Sequence, residues 1–268
     1  MSAREREHVK QSTRPRVPVV YEVIRQEGEA ELARPAWGLW WSGLAAGICI
    51  GFSLLSEALL RAHLPEVGWR PLLENLGYTV GFLLVILGRQ QLFTENTVTA
   101  VLPIMAHRTR AKLGQMVRLW SIVLAANLVG AFVFAAFLVT SGAVSIDLMA
   151  AMQDISNHML ALSAWDKFWR GVVAGWLIAT LVWILPHANG ASVFMIILIT
   201  YLIALGEFTH IVAGSVEAFL ALLTASISLE GVVLSFLIPT LFGNIVGGTV
   251  LFAMLSHAQV QSELQPHR

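Results

Sequence analysis

Charge is the scarcest property of this sequence. Only 13% of its 268 residues are Asp, Glu, Lys or Arg, while 56% are hydrophobic. A soluble domain carries roughly 25% charged residues, so a single water-facing globule is excluded as the main architecture. There is one cysteine, Cys49, inside an apolar run, which excludes an intrachain disulfide framework and a cysteine metal centre. The formal net charge is zero, and no basic face interleaved with aromatics occurs, so nucleic acid is not an expected partner. No nucleophile–base pair or ligand cluster has convincing spacing, so neither an enzyme nor a metal or cofactor is expected. A cleavable leader is not expected either. The first apolar run begins near Trp37, after a charged segment with no small-residue cleavage pattern.

What the sequence does have is long apolar runs, and these predict an all-α, polytopic membrane protein. Residues 1–35 form a polar, cytoplasmic tail with Arg4, Arg6, Lys10, Arg14, Arg16, Arg25 and Arg34. Pro15 and Pro18 interrupt its start, and Glu22 to Arg34 has the pattern of an amphipathic helix with Val23, Ile24 and Leu32 on one side. Six spans are expected within a channel domain over residues 36–258: Gly38 to about Leu60, Leu76 to Met105, Leu119 to Val139, Phe168 to Leu185, Ser192 to Leu223, and Gly231 to Leu255. A short tail, residues 259–268, completes the chain. Lys and Arg are in excess in the N-terminal tail and in the loop Ala106 to Arg118, and Arg268 adds to the same side. The opposite side has Arg61, Arg70, Lys167 and Arg170, so both termini are expected in the cytoplasm of a bacterial-type inner membrane.

The second and fifth spans are interrupted. Arg89, Gln90, Gln91, Glu95 and Asn96 stand at bilayer depth in the second, and Gly206-Glu207-Phe208-Thr209-His210 in the fifth. Such groups are expensive in lipid unless they face protein or water. Phe93-Thr94 and Phe208-Thr209 read as two copies of one device. Trp41-x-Gly43-x-x-Ala46-Gly47 resembles Trp169-x-Gly171-x-x-Ala174-Gly175, and Asn127-Leu-Val-Gly130 resembles Asn244-Ile-Val-Gly247. With three spans per half, the halves must be oppositely oriented, a 3+3 inverted repeat with its solute path at the midplane. The glycine pairs 43/47, 171/175 and 243/247 mark close helix packing.

Broken helices are tolerated at this depth only where they line a cavity or are buried in protein. Half-helix ends also offer N–H groups to an anion. Phe93 would narrow such a path and Thr94 would offer it a hydroxyl. His210 is a histidine inside a span, where an imidazole can donate a proton or a hydrogen bond. Its other reading is a buried neutral ring bonded to backbone. Arg89, Glu95 and Glu207 read first as structural ion pairs holding the breaks, with Arg89 the partner closest to Glu95.

These residues resemble the formate/nitrite transporter family, and specifically its YfdC-like branch. Gln91-Leu92-Phe93-Thr94 stands where the family reads Glu/Asp-Leu-Phe-Thr. Phe208-Thr209-His210-Ile211-Val212-Ala213-Gly214 stands where it reads Phe-Glu-His-x-x-Ala-Asn, and Gly243-Asn244-Ile245-Val246-Gly247-Gly248 matches its sixth span. The chain departs at Gln91, at Thr209, and at Gly175 and Gly214, where the family has asparagine. Met159, beside His158, falls near the family's vestibule lysine. The resemblance implies an aquaporin-like protomer in a homopentamer within the lipid bilayer. It implies a channel or proton-linked transporter for small monovalent weak-acid anions of the formate and nitrite kind. The transport path would carry His210, Thr94, Phe93, Phe208, Thr209, Gln91, Gly175 and Gly214. Two rival readings are a pore-closed scaffold acting through its tail and a channel for a small neutral solute.

Overall fold

The computed structural model describes the backbone of residues 15–264. The charges at Arg4, Arg6, Lys10, Arg14 and Arg268 therefore lie outside the described residues. Helix α1, Val17–Ala33, starts with Pro18 in its first turn, where no N–H partner is needed, and stops before Pro35. It buries Val20, Tyr21, Ile24, Gly28 and Leu32. Val23, expected on that side, is exposed, because the buried stripe steps through positions 20, 24, 28 and 32. On the outer side Arg25 bonds Glu22 at 2.7 Å and Glu29 at 3.1 Å, and Glu29 pairs with Lys112. The Arg25 guanidinium holds the Glu22 carboxyl down at about 2.

Helix α2 is Ala36–His63. Helix α3, Arg70–Leu87, is followed after a break by α4, Phe93–Thr99, and by α5, Leu102–Ala106. Helix α6 is Arg110–Thr140, α7 Ile146–Ala161 and α8 Ala164–Ile184. Helix α9, Ser192–Leu205, is followed after a second break by α10, Ala213–Leu223. The last helical path, α11, is Leu229–Gln261 and includes two wider π-helical stretches. Five of these are long and apolar enough to cross a membrane, namely α2, α3, α6, α11 and α8 with its trailing turn to His187. Helices α9 and α10 are apolar but shorter. No strand occurs among the described residues.

The second span starts at Arg70, earlier than its apolar run, because Arg70 and Glu74 pair across one helical turn at 3.1 Å. Helix α7 was not expected from the sequence. It is polar enough to escape a hydropathy reading, is capped by Ser145 at 3.2 Å from Leu148 N, and packs Met152 and Ser156 toward α2 and α10.

Backbones touch where the small residues stand. A Cβ on Gly47 would lie 2.2 Å from Asn127 O, and one on Gly130 2.4 Å from Leu44 O. The same contact recurs in the second half, where a Cβ on Gly175 would lie 2.4 Å from Asn244 O and one on Gly247 2.0 Å from Val172 O. Such approach lets dispersion and short polar contacts hold helices together in a solvent that gives little hydrophobic drive. Gly247→Val should therefore cost about 3 kcal/mol or more through forced separation of α8 and α11. Gly38→Ala, at a position with nothing within 4 Å, should leave stability unchanged. Thermal unfolding of the two detergent-solubilised variants beside the parent checks both.

Candidate functional site: two clamped helix breaks around His210

Both breaks begin with the same turn. Helix α3 ends at Gly88, with Arg89 N–H donating to Ile86 O at 3.1 Å and Gln90 N–H to Val85 O at 3.0 Å. Helix α9 ends at Gly206, with Glu207 N–H donating to Ala204 O and Phe208 N–H to Ile203 O, each at 2.9 Å. Arg89 and Glu207 both have φ +50°. That left-handed backbone is normally given to glycine, and a side chain there costs roughly 1 kcal/mol. A charged residue thus sits in each strained position.

Beyond the turn, an asparagine clamps each break. Asn127 of α6 accepts from Phe93 N–H at 2.9 Å and donates to Gly43 O at 2.8 Å and Gln91 O at 2.9 Å. Asn244 of α11 accepts from Ile211 N–H at 2.8 Å and donates to Gly171 O at 2.8 Å and Thr209 O at 2.9 Å. This matching corrects the pairing of Phe93-Thr94 with Phe208-Thr209. Gln91 corresponds to Thr209, and Phe93 to Ile211. The asparagines also consume the Phe93 and Ile211 amides, which a free half-helix end would have left for an anion.

The breaks bring Thr94 against His210, with Oγ1 and Nε2 2.8 Å apart. Ala213 N–H donates to His210 Nδ1 at 3.2 Å. Nδ1 is then the acceptor of a neutral ring, so Nε2–H donates to Thr94. Phe82 stacks edge-on against the ring with centroids 5.0 Å apart. Thr94 and His210 are both buried.

One cavity lies beside the first break, and a second reaches His210. One, about 520 Å³, is lined by Glu27 and Glu31 of α1, by Ile86 and Leu87 at the end of α3, and by Arg89, Gln91 and Glu95 of the break. The other, about 350 Å³, is lined by Arg70 and Glu74 at the start of α3, by Glu57 and Glu217, and by Phe208, Thr209 and His210. The smaller lies at the start of the Arg70–Leu87 path and the larger at its end. No lining residue is common to both.

The expected site residues distribute as follows. Phe208, Thr209, His210 and Gly214 line the smaller cavity and Gln91 the larger. Thr94 lines neither and is bonded to His210. Phe93 is buried with its ring edge-on to Trp120, and Gly175 sits at the crossing with Asn244; neither lines a cavity. Glu207 is in an ion pair with Arg170 at 2.7 Å and lies 3.2 Å from His158. Arg89 and Glu95 share the larger cavity, within electrostatic reach of one another but without a hydrogen bond or close ion pair between them. Thr209 Oγ1 donates to Lys167 O at 2.6 Å.

Sequence reasoning missed three features. Lys167 is fully buried, and its Nζ donates to Leu160 O and Leu162 O at 2.8 and 2.7 Å, closing the turn between α7 and α8. Gln91 Nε2 donates to Glu31 of α1 at 2.8 Å while its Oε1 accepts from Asn96 at 3.0 Å, so α1 is tied to the break itself. Glu57 and Glu217 meet in the smaller cavity although they come from helices far apart in sequence. Only the acidic residue within an otherwise apolar run, visible at Glu217, signalled any of these.

Comparison with known proteins gives one consistent picture. The family model described as formate/nitrite transporter matches residues 18–258. The chain is 43% identical to inner membrane protein YfdC of Escherichia coli (strain K12), across 94% of this chain and 82% of that protein. It is 24% identical to formate channel FocA of Haemophilus influenzae, across 78% of this chain and 82% of that one. Two solved structures share the fold. An FNT family ion channel superposes with TM-score 0.79 at 20% identity, covering 90% of this chain and 98% of its own. A pentameric formate channel with formate bound gives TM-score 0.71 at 22% identity, covering 84% and 98%.

The clamps make a sharp test of the geometry. Asn244→Leu leaves Ile211 N–H and Thr209 O without the partners they have here, each worth about 1–3 kcal/mol when buried, while Gly171 O keeps its own helical bond. Hydrogen–deuterium exchange over residues 206–214 should accelerate markedly, while the α3–α4 break, held by Asn127, keeps its protection.

Proposed function

Because the chain belongs to the formate/nitrite transporter family, we propose that it is a channel or proton-linked transporter for small monovalent weak-acid anions, with its path crossing at Thr94 and His210. It is a membrane protein whose relatives are channels and transporters. The observation that carries the reading is the buried hydrogen-bonded contact between Thr94 and His210, with one cavity reaching His210 and a second beside Gln91 and Glu95. We read the two clamped breaks as the halves of a six-span, 3+3 inverted repeat. The protomer is taken to assemble as a homopentamer in an inner membrane, with both termini cytoplasmic and residues 1–35 as a cytoplasmic tail.

The chemistry follows from the constriction. A bare anion loses most of its hydration on entering a narrow, mostly apolar neck, while its conjugate acid loses far less. His210, wired as a neutral Nε2–H donor, can exchange Thr94 for a carboxylate or nitrite oxygen. Phe82 and Phe208 exclude water around that exchange. Glu31, bonded to Gln91, ties the opposite vestibule to α1, so the larger cavity is shaped partly by the segment that precedes the spans.

Uptake of formate, nitrite and lactate into proteoliposomes should rise as external pH falls, and His210→Ala should reduce it by about tenfold or more, the equivalent of one lost charge-assisted hydrogen bond. Flux that ignores pH and survives His210→Ala would overturn the histidine's role. No flux of any of the three through folded protein would favour the pore-closed scaffold, and osmotic swelling with uncharged solutes would instead favour the neutral-solute channel.

A further inference from the structure

The wiring of His210 leaves a chemical gap. Its Nδ1 is filled by the Ala213 amide, and its Nε2–H is the only ring proton. Giving that proton away would leave an imidazolate, so the neutral ring serves as a hydrogen-bond donor and a transported anion must take its proton elsewhere. The cavity that reaches His210 contains two carboxyls without a cationic partner.

Glu217 of α10 is only 8% exposed and lines this cavity, with no hydrogen bond or ion pair to any described residue. Glu57 of α2 is half-buried, lines the same cavity and is likewise unbonded. Helices α2 and α10 pack together, which places the two carboxyls within electrostatic reach of one another. The cations nearby are engaged. Arg61, one turn from Glu57, pairs with Glu74 at 3.1 Å and with Asp154 of α7. On α3, Arg70 pairs with Glu74 at 3.1 Å, and Tyr78 adds a neutral phenol. At the α9–α10 break, Arg170 and the exposed His158 are taken by Glu207. Helix α11 contributes the apolar ring of Phe236.

Two carboxylates at bilayer depth with no cation bonded to either, and with the nearby Arg61 already shared by Glu74 and Asp154, are expensive, and like charges in one site cannot both ionise cheaply. We propose that Glu57 and Glu217 hold one proton between them and act as the proton-donating site of this cavity, supplying the weak-acid anion beside His210. The inference rests on the weak-acid reading above and names where its proton comes from. The step balances simply. The carboxyl O–H bond breaks, the proton bonds to an oxygen of the anion, and the neutral acid and a carboxylate result. The carboxylate is reprotonated from bulk water at the open end of the cavity.

Two measurements on the full chain in lipid vesicles test this. Infrared pH-difference spectra should show a carboxylic-acid C=O band at neutral pH in the parent that disappears in the E57Q/E217Q double variant. The absence of any band sensitive to those substitutions would overturn the proposal. So would loss of the band on adding sodium or ammonium, since the pair would then be a cation site. In flux assays, a channel fed only by bulk protonated acid loses about tenfold in rate per pH unit above the acid's own pKa. Glu217→Gln should follow that steep line, the parent should fall less steeply, and Glu217→Asp should restore the shallower slope. Superimposable profiles of parent and Glu217→Gln would refute the donor role. If the parent carried no weak acid at all, the weak-acid reading and the donor role would both fall, while the infrared band would still decide whether the pair holds a proton.

Discussion

Everything in this molecule depends on two buried asparagine side chains. Breaking a helix at membrane depth frees backbone N–H and C=O groups that lipid cannot satisfy. Asn127 and Asn244 each supply one acceptor and one donor to such a break, and neither is exposed. Each also donates to the carbonyl of a glycine on a third helix, Gly43 or Gly171. Clamp and helix crossing are therefore one device, since the asparagine reaches that carbonyl only where small residues let the backbones approach.

With the clamps in place, the site's polarity is decided by backbone rather than by neighbouring charge. The α10 amide at Ala213 fixes the His210 tautomer, and the Thr94 hydroxyl accepts the hydrogen bond from Nε2–H. The contact they make is short and buried, and the cavities nearby are rich in carboxyls. Charge is thus kept out of the neck and held in the vestibules, where Arg61, Arg70 and Arg170 are committed to acidic partners. Under the proposed function, such a contact would favour species that shed their charge before reaching it.

Much of this was legible in the sequence, for identifiable reasons. The breaks announced themselves because Arg89, Gln91, Glu95 and Glu207 interrupt apolar runs. The glycine and asparagine repeats were visible because close packing and clamping each need a specific residue. The register between the halves was misread because Phe-Thr repeats as letters, whereas the recurring object is a left-handed turn that begins at a glycine and carries Arg89 in one half and Glu207 in the other. Helix α7 escaped because it is neither long nor apolar. The Glu57–Glu217 pair escaped because single-sequence reading has no way to bring α2 and α10 together. Val23 was misplaced because a shift of one position on a helix moves a side chain off the buried stripe.

The central claim is that the Thr94–His210 contact separates two vestibules opening to opposite faces. Side-resolved thiol labelling tests it most directly, in protein whose Cys49 is replaced by serine. A single cysteine at Gln90, in the larger cavity, and another at Met159, in the smaller, would each meet a membrane-impermeant reagent added to one face of sealed vesicles. The account predicts that each reacts from one face only and that the two faces differ. Labelling of either cysteine from both faces, or of both from the same face, would contradict it.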